Sequence, residues 1–289
     1  MEKQPEFTVT QAIQLLPFLI AKYPNRGRNK IKSLLTRGQV MVGQRVVTRH
    51  DHPLAVGDRV RILNTGAVQP RELITGVKIL YEDDHIIVID KPPGLLTMAT
   101  DEEKDRTAYR IMNDHVRERN PKARVFIVHR LDRETSGLMM FAKTEAIKRQ
   151  LQDNWTEAIL ERSYIALVEG AVKEEQATIK TWLKENATMT MFVSRPGEGM
   201  IAITHYHVIK KTPEYSLLAV QLETGRKNQI RVHMQSIGHS VVGDKRYGSH
   251  KNPIARLGLH AHILSFTHPI TNEILRFETA IPAKFLSVL

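Results

Sequence analysis

The 289-residue sequence has no cysteine. Disulfides, zinc ribbons and thiol nucleophiles are thereby excluded, and the composition suits a reducing compartment. Long apolar runs are missing too, none approaching the roughly 18–20 residues of a membrane-spanning helix. The opening stretch MEKQPEFTVTQAIQLLPFLIAK interrupts its apolar part with Gln14 and Pro17 and starts acidic, so it does not read as a signal peptide. A soluble, cytoplasmic protein is expected. The chain has neither the G-x-G-x-x-G dinucleotide fingerprint nor a phosphate loop ending in Gly-Lys-Ser/Thr. Low-complexity tracts and internal repeats are absent. Acid is missing from one long stretch: Asn25 to His50 holds seven basic residues (Arg26, Arg28, Lys30, Lys32, Arg37, Arg45, Arg49) and no Asp or Glu.

That last absence organises the charge. The net charge is +11, and residues 1–70 supply +7 of it, from 11 Lys+Arg against 4 Asp+Glu. A charge run is commonly just a solvated face. A small folded module without compensating acids repels itself, however, and polyphosphate is the usual partner of such a surface. Nucleic acid is therefore the expected partner of the first region.

What is present suggests two domains, in keeping with the length. VTQAIQLLPFLIAKY and NKIKSLLTRG have helical periodicity, the second with Lys30, Lys32 and Arg37 outward and Gly38 as its stop. Short strand-like pieces follow (QVMVG, QRVVT, LAVGDRVRIL), giving a small α+β module over 1–65. A polar linker is expected over 66–77 and a second domain over 78–289. In the second domain, residues 104–119 and 144–159 read as helices and NQIRVHMQSIG as a short one. VFIV, GLMMFAKT, ERSYIALVEG, AITHYHVIKK and YSLLAVQLE read as strands, and HILSFTHP with EILRFETA as a late hairpin. Without regular βα alternation, the expected class is α+β with a mixed, largely antiparallel sheet.

Three stretches could carry chemistry. HRLDRETSGL (129–138) joins two apolar strands and sets Asp132 between Arg130 and Arg133, with Thr135, Ser136 and Gly137 turning into the second strand. A cation about 4 Å away favours a carboxylate by about 4 kcal/mol at an effective dielectric near 20. A carboxylate so placed stays charged, suited to a nucleophile or electrostatic stabiliser rather than a proton donor. TGRKNQIRVH (224–233) leads through a turn into a helix whose start, with Arg226, Lys227 and Arg231, reads as an anion site; alternatively Arg231 simply faces water. Tyr164 interrupts the strand ERSYIALVEG; a strand tyrosine is most often a core residue with a hydrogen-bonded tip.

Together these stretches resemble the pseudouridine synthases that modify large-subunit ribosomal RNA and some tRNAs. The order KPPGL (91–95), HRLDRETSGL, RSYIALVEG, TGRKNQIRVH, GDKRYG (243–248) and LHAHILSFTHP (259–269) is similar throughout, over roughly residues 78–285. The first 65 residues resemble the small alpha-L RNA-binding module. The resemblance implies Asp132 as catalytic aspartate, Arg231 as its ion-pair partner and Tyr164 stacked near the uracil. It also implies Arg130 filling the gap left when the target uridine leaves the stack, while Arg133 has no assigned role. Arg226, Arg26, Arg28, Lys30, Lys32 and Arg37 are the expected RNA-binding residues. No cofactor or metal is expected, because the isomerisation breaks N1–C1′ and rejoins the base through C5 without a redox step. Tyr164 is the candidate base for the C5 proton. Two positions depart from the family pattern: Met98 stands where relatives often have His, and Lys227-Asn228 where they often have Thr-His.

Rival readings remain. A nucleosidase would need a second catalytic carboxylate, and only Glu134 lies near Asp132 in sequence. A non-catalytic RNA-binding assembly factor would not need Asp132, Tyr164 and Arg231 together. The pairs His205/His207 and His260/His262 have strand spacing for a metal but no accompanying carboxylate cluster. Large-subunit ribosomal RNA is the favoured substrate and tRNA the alternative. A monomer without an obligate protein partner is the default expectation.

Overall fold

A computed structural model describes residues 6–289 except 25, 37, 38, 44, 48, 63–70, 75, 102, 104, 105 and 119. The chain divides into two compact units, residues 1–74 with 78–89, and residues 75–77 with 90–289. Within the stretch read as a linker, Arg71–Ile74 is a strand; residues 66–70 and 75 lie outside the described residues.

In the first unit a four-stranded antiparallel sheet runs in the order Glu6–Thr8, Arg59–Ile62, Val40–Val42, Arg45–Val46. Helices Leu15–Lys22 and Arg28–Thr36 accompany it. Leu15, Leu19, Ile31, Leu35, Val40 and Val60 are fully buried together. The first helix is shorter than its periodicity predicts, with Ile13–Gln14 a strand instead. Pro17 explains this: proline is tolerated only in a helix's first turn, and here it occupies the third position.

The second unit contains the strand order Met191–Ser194, Gln176–Glu185, Met200–Lys211, Tyr215–Leu222, Ile159–Glu169, Leu259–Thr267, Ser136–Ala142. Only Ser136–Ala142 runs parallel to its neighbour in this series. The class is therefore α+β with a largely antiparallel mixed sheet. Helix Ala108–Arg117 starts later than predicted, where the Thr107 hydroxyl caps it by accepting from Arg110 N at 3.1 Å. The predicted 144–159 helix is two pieces, Glu145–Asp153 and Trp155–Ala158, broken at Asn154. VFIV contributes only Phe126–Ile127 as strand. Strands Gln176–Glu185 and Met191–Ser194 were not expected from the sequence. No described helix is long and apolar enough to cross a membrane.

Candidate active site

The HRLD loop enters strand Ser136–Ala142, all of whose residues are buried. Gly137 lies against Ala261, where a Cβ would come within 2.1 Å of the Ala261 carbonyl oxygen, and its φ is +110°. Only glycine permits this approach. Beside it, Ser136 Oγ accepts from Arg256 Nη2 at 2.7 Å and bonds His260 Nδ1 at 2.7 Å, while His260 Nε2 bonds Thr279 at 2.8 Å. Burial and then Arg256 pull His260 down to about 4, so it is neutral. The body of the loop hangs on the KPPG turn. Lys91, fully buried, donates to the carbonyls of Leu95 (2.7 Å), Pro92 (3.0 Å) and Arg133 (3.1 Å). Thr97 Oγ1 donates to Leu131 O and accepts from Leu131 N. Burial draws Lys91 down to about 7 against the opposing pull of Glu134 and Asp132.

Held in this way, Asp132 meets a guanidinium from helix Gln229–Ser236. Arg231 Nη1 donates to Asp132 Oδ2 at 3.2 Å and to Asn228 Oδ1 at 3.0 Å. Its other edge grips Asp244, Nε to Oδ2 at 2.6 Å and Nη2 to Oδ1 at 2.8 Å. The guanidinium lies over the Tyr247 ring, 4.8 Å from its centroid. The Arg231 side chain is 15% exposed and that of Asp244 1%, whereas Asp132 keeps 32%. Burial works against the Arg231 charge, but Asp244 and then Asp132 raise its pKa above the ordinary arginine value. The arginine is thus a fixed cation with one carboxylate locked behind it and one presented in front. Among the described residues Asp132 Oδ1 accepts no hydrogen bond.

Asp132, Arg231, Tyr164, Arg130, Arg226 and Met189 line one cavity of about 410 Å³, within the range of small-ligand sites. Tyr164 reaches it at an irregularity: Ser163 pairs with Ile263 but Tyr164 with Ala261. Such a bulge re-aims a side chain. Burial raises the Tyr164 phenol, Arg162 opposes the rise and Asp132 adds to it, so the phenol is protonated at neutral pH. Arg226 Nε donates to the Ile201 carbonyl at 3.0 Å. The anion site expected at this helix start is already filled by side chains, since Arg231 holds two carboxylates and Lys227 pairs with Glu185. Arg133, adjacent to Asp132 in sequence, pairs with Glu103 at 2.8 Å.

The remaining sequence candidates lie in the first unit, where Arg26, Arg28 and Lys30 are exposed and Lys32 is partly exposed. Arg37 lies outside the described residues. His205 bonds Thr178 and Glu223. Two participants were missed in the sequence, Asp244 and Asn228. The signal for Asp244 lay inside GDKRYG, whose glycine and acid mark a turn; the side chain caps that turn by accepting from Tyr247 N.

The RNA pseudouridylate synthase family model matches residues 85–236. The chain is 34% identical over 288 residues to an uncharacterized RNA pseudouridine synthase of Aquifex aeolicus, covering 94% of this chain and 91% of that one. It is 30% identical over 304 residues to ribosomal large subunit pseudouridine synthase D of Haemophilus influenzae, covering 100% and 93%. Human RNA pseudouridylate synthase domain containing 1 is similar in fold, with a TM-score of 0.57 at 24% identity over 74% of this chain and 86% of that one.

Proposed function

Since the chain belongs to the RNA pseudouridylate synthase family and is an isomerase of that kind, we propose that its substrate is large-subunit ribosomal RNA and that Asp132 is its catalytic carboxylate. The full-length similarity to a ribosomal large-subunit enzyme favours that substrate over tRNA. The observation that carries the site assignment is the Asp132–Arg231 ion pair at the cavity, backed by Asp244.

The target uridine leaves its stack, at a cost of a few kcal/mol, and enters the cavity. Asp132 attacks C1′ or assists departure of the uracil anion; either role needs a carboxylate aimed at C1′, which the Arg231 contact supplies. The detached base turns and rejoins at C1′ through C5. Tyr164 stacks against it and is the candidate acceptor of the C5 proton. As a resting phenol it takes that proton only as its own passes to solvent, while the freed uracil N1 takes up a proton in exchange, so the isomerisation loses no net proton. Arg130 occupies the gap in the RNA, and Arg226 contacts the backbone at the cavity. Residues 1–65 form the RNA-binding module, 66–77 its linker and 78–289 the catalytic domain. Phosphate contacts from Arg26, Arg28, Lys30, Lys32 and Arg37 offset the cost of flipping.

The test is carbodiimide mapping of pseudouridine across ribosomal RNA and tRNA in cells lacking the protein, complemented with wild type or Asp132→Asn. Sites in large-subunit RNA that return only with wild type support the reading. Return in tRNA alone moves the substrate, and full rescue by Asp132→Asn makes the protein a non-catalytic RNA-binding factor.

A further inference from the structure

Strands Gln176–Glu185 and Met191–Ser194 form a hairpin at one end of the second unit's sheet, and no sequence motif had pointed to it. Its two faces differ. Ile179, Leu183 and Met191 point inward and are buried, as are Ala202, Thr204 and Tyr206 on the neighbouring strand. The alternate positions form the outer face. There Lys180 and Lys184 are exposed, Trp182 is half-buried and Phe192 is 41% exposed. Register brings them together: Lys184 lies opposite Phe192, and Trp182 between Ser194 and Ile201. Among the described residues neither lysine has an ion-pair partner.

The turn of the same hairpin reaches the catalytic cavity. Met189 lines it, 64% exposed, at a φ of +58° that a long side chain rarely adopts. The turn is built to hold it there. Asn186 Oδ1 accepts from Thr188 N and Thr190 N, and Met189 N donates to Asn186 O. Lys227 ties the turn to the cavity rim, donating to the Met189 carbonyl at 3.1 Å while paired with Glu185.

We propose that this hairpin is a second RNA-contacting surface, on which unpaired nucleotides flanking the target uridine stack against Phe192 and Trp182 while Lys180 and Lys184 meet their phosphates. Exposed aromatics interleaved with lysines on a sheet face suit single strands, because every base has a face to stack and every linkage a charge. The register sets this outer face on the side of the sheet opposite Tyr164 and Leu222, so the strand that reaches it passes over the Met189 turn at the cavity, which makes the occupant the substrate's own flank. The proposal rests on the RNA reading above and adds to it where the RNA goes beyond the flipped base.

The experiment uses the full chain carrying Lys180→Ser, Lys184→Ser and Phe192→Ser, all at exposed positions. Large-subunit ribosomal RNA and tRNA transcripts labelled with [5-³H]uridine report turnover by tritium release, and filter retention of the same transcripts reports affinity. The expected result is a KM and a Kd raised about 10- to 30-fold with kcat and melting temperature retained. The slope of log affinity against log salt should fall by about 1.4, for two phosphate contacts on a single strand. KM and Kd within twofold of wild type overturn the proposal, as does a raised Kd with an unchanged salt slope. Wild-type protein that binds these RNAs but releases no tritium sinks the catalytic reading instead, and the Kd and salt slope still decide the hairpin.

Discussion

Arginine stands in two different surroundings in the two units. In the first, Arg26 and Arg28 are exposed, as is Lys30, and the Arg26 guanidinium lies over the Tyr23 ring, 5.1 Å from its centroid. In the second, Arg231 is almost withdrawn from solvent, spends its donors on two carboxylates and an amide oxygen, and lies on an aromatic ring. An exposed guanidinium on a mobile stem suits phosphates that arrive in many geometries. A buried one with four of its five N–H donors engaged cannot readily adapt, and it is suited to hold Asp132 in one place. On the proposed reading, binding and chemistry thus differ in solvation and partners, not in residue type.

The strongest way to break this comparison is at its catalytic end. Asp132→Asn should lower kcat at least about a thousandfold with RNA affinity intact, read by tritium release and filter binding; a variant retaining a tenth of the activity would remove the carboxylate from the mechanism. Asp244→Asn tests whether Arg231 acts by being fixed. We predict a fall in kcat of about a hundredfold with little change in Kd, since small misplacement of a reacting group has that scale; a change confined to Kd would make Arg231 an RNA ligand after all. In the other unit, replacing Arg26, Arg28 and Lys30 by serine should raise KM about tenfold and flatten the salt dependence. Loss of kcat with unchanged KM would collapse the distinction between the units.

Smaller effects sharpen the same contrast. His129, whose Nε2 accepts from Met140 N, is drawn down to about 3 by burial and then Arg162, and His260 to about 4. Both are neutral when folded, while the unfolded chain binds protons below about 6.5. Their stabilisation is complete above pH 6.5 and is lost as pH falls toward 4 and then 3, with roughly 2–3 kcal/mol gone for each by pH 4.5. Urea titrations at pH 7 and 4.5 measure this, and His260→Gln should flatten the dependence. Least of all, Arg133→Ala breaks only the solvent-facing pair with Glu103, worth at most about 0.5 kcal/mol; a large loss of activity would give Arg133 a role its geometry does not support.

The elements legible in the sequence were those whose period agreed with their burial. The 200–211 and 215–222 strands alternate or are apolar, and the short helix after the TGRKN turn begins at Gln229 as its pattern suggested. Gln176–Glu185 was missed because an outward Trp182 and an inward Thr181 blur an alternation that burial makes plain. Helix ends were decided by single residues, Pro17 and Asn154, rather than by periodicity.

By itself the sequence determined the chemistry on offer: one cysteine-free chain, a basic region without acids, and a loop presenting Asp132 between arginines. Tertiary structure decided which arginine answers it. Arg130 and Arg133 are its neighbours in sequence, yet Arg133 turns to Glu103, and Arg130, though it lines the same cavity, makes no ion pair with Asp132 among the described residues. Arg231, 99 positions away, is brought to it by a helix packed on the sheet, and Asp244 closes the pair from behind. A fixed charge in low dielectric needs partners on several sides at once, and only a folded chain can bring them from distant parts of the sequence.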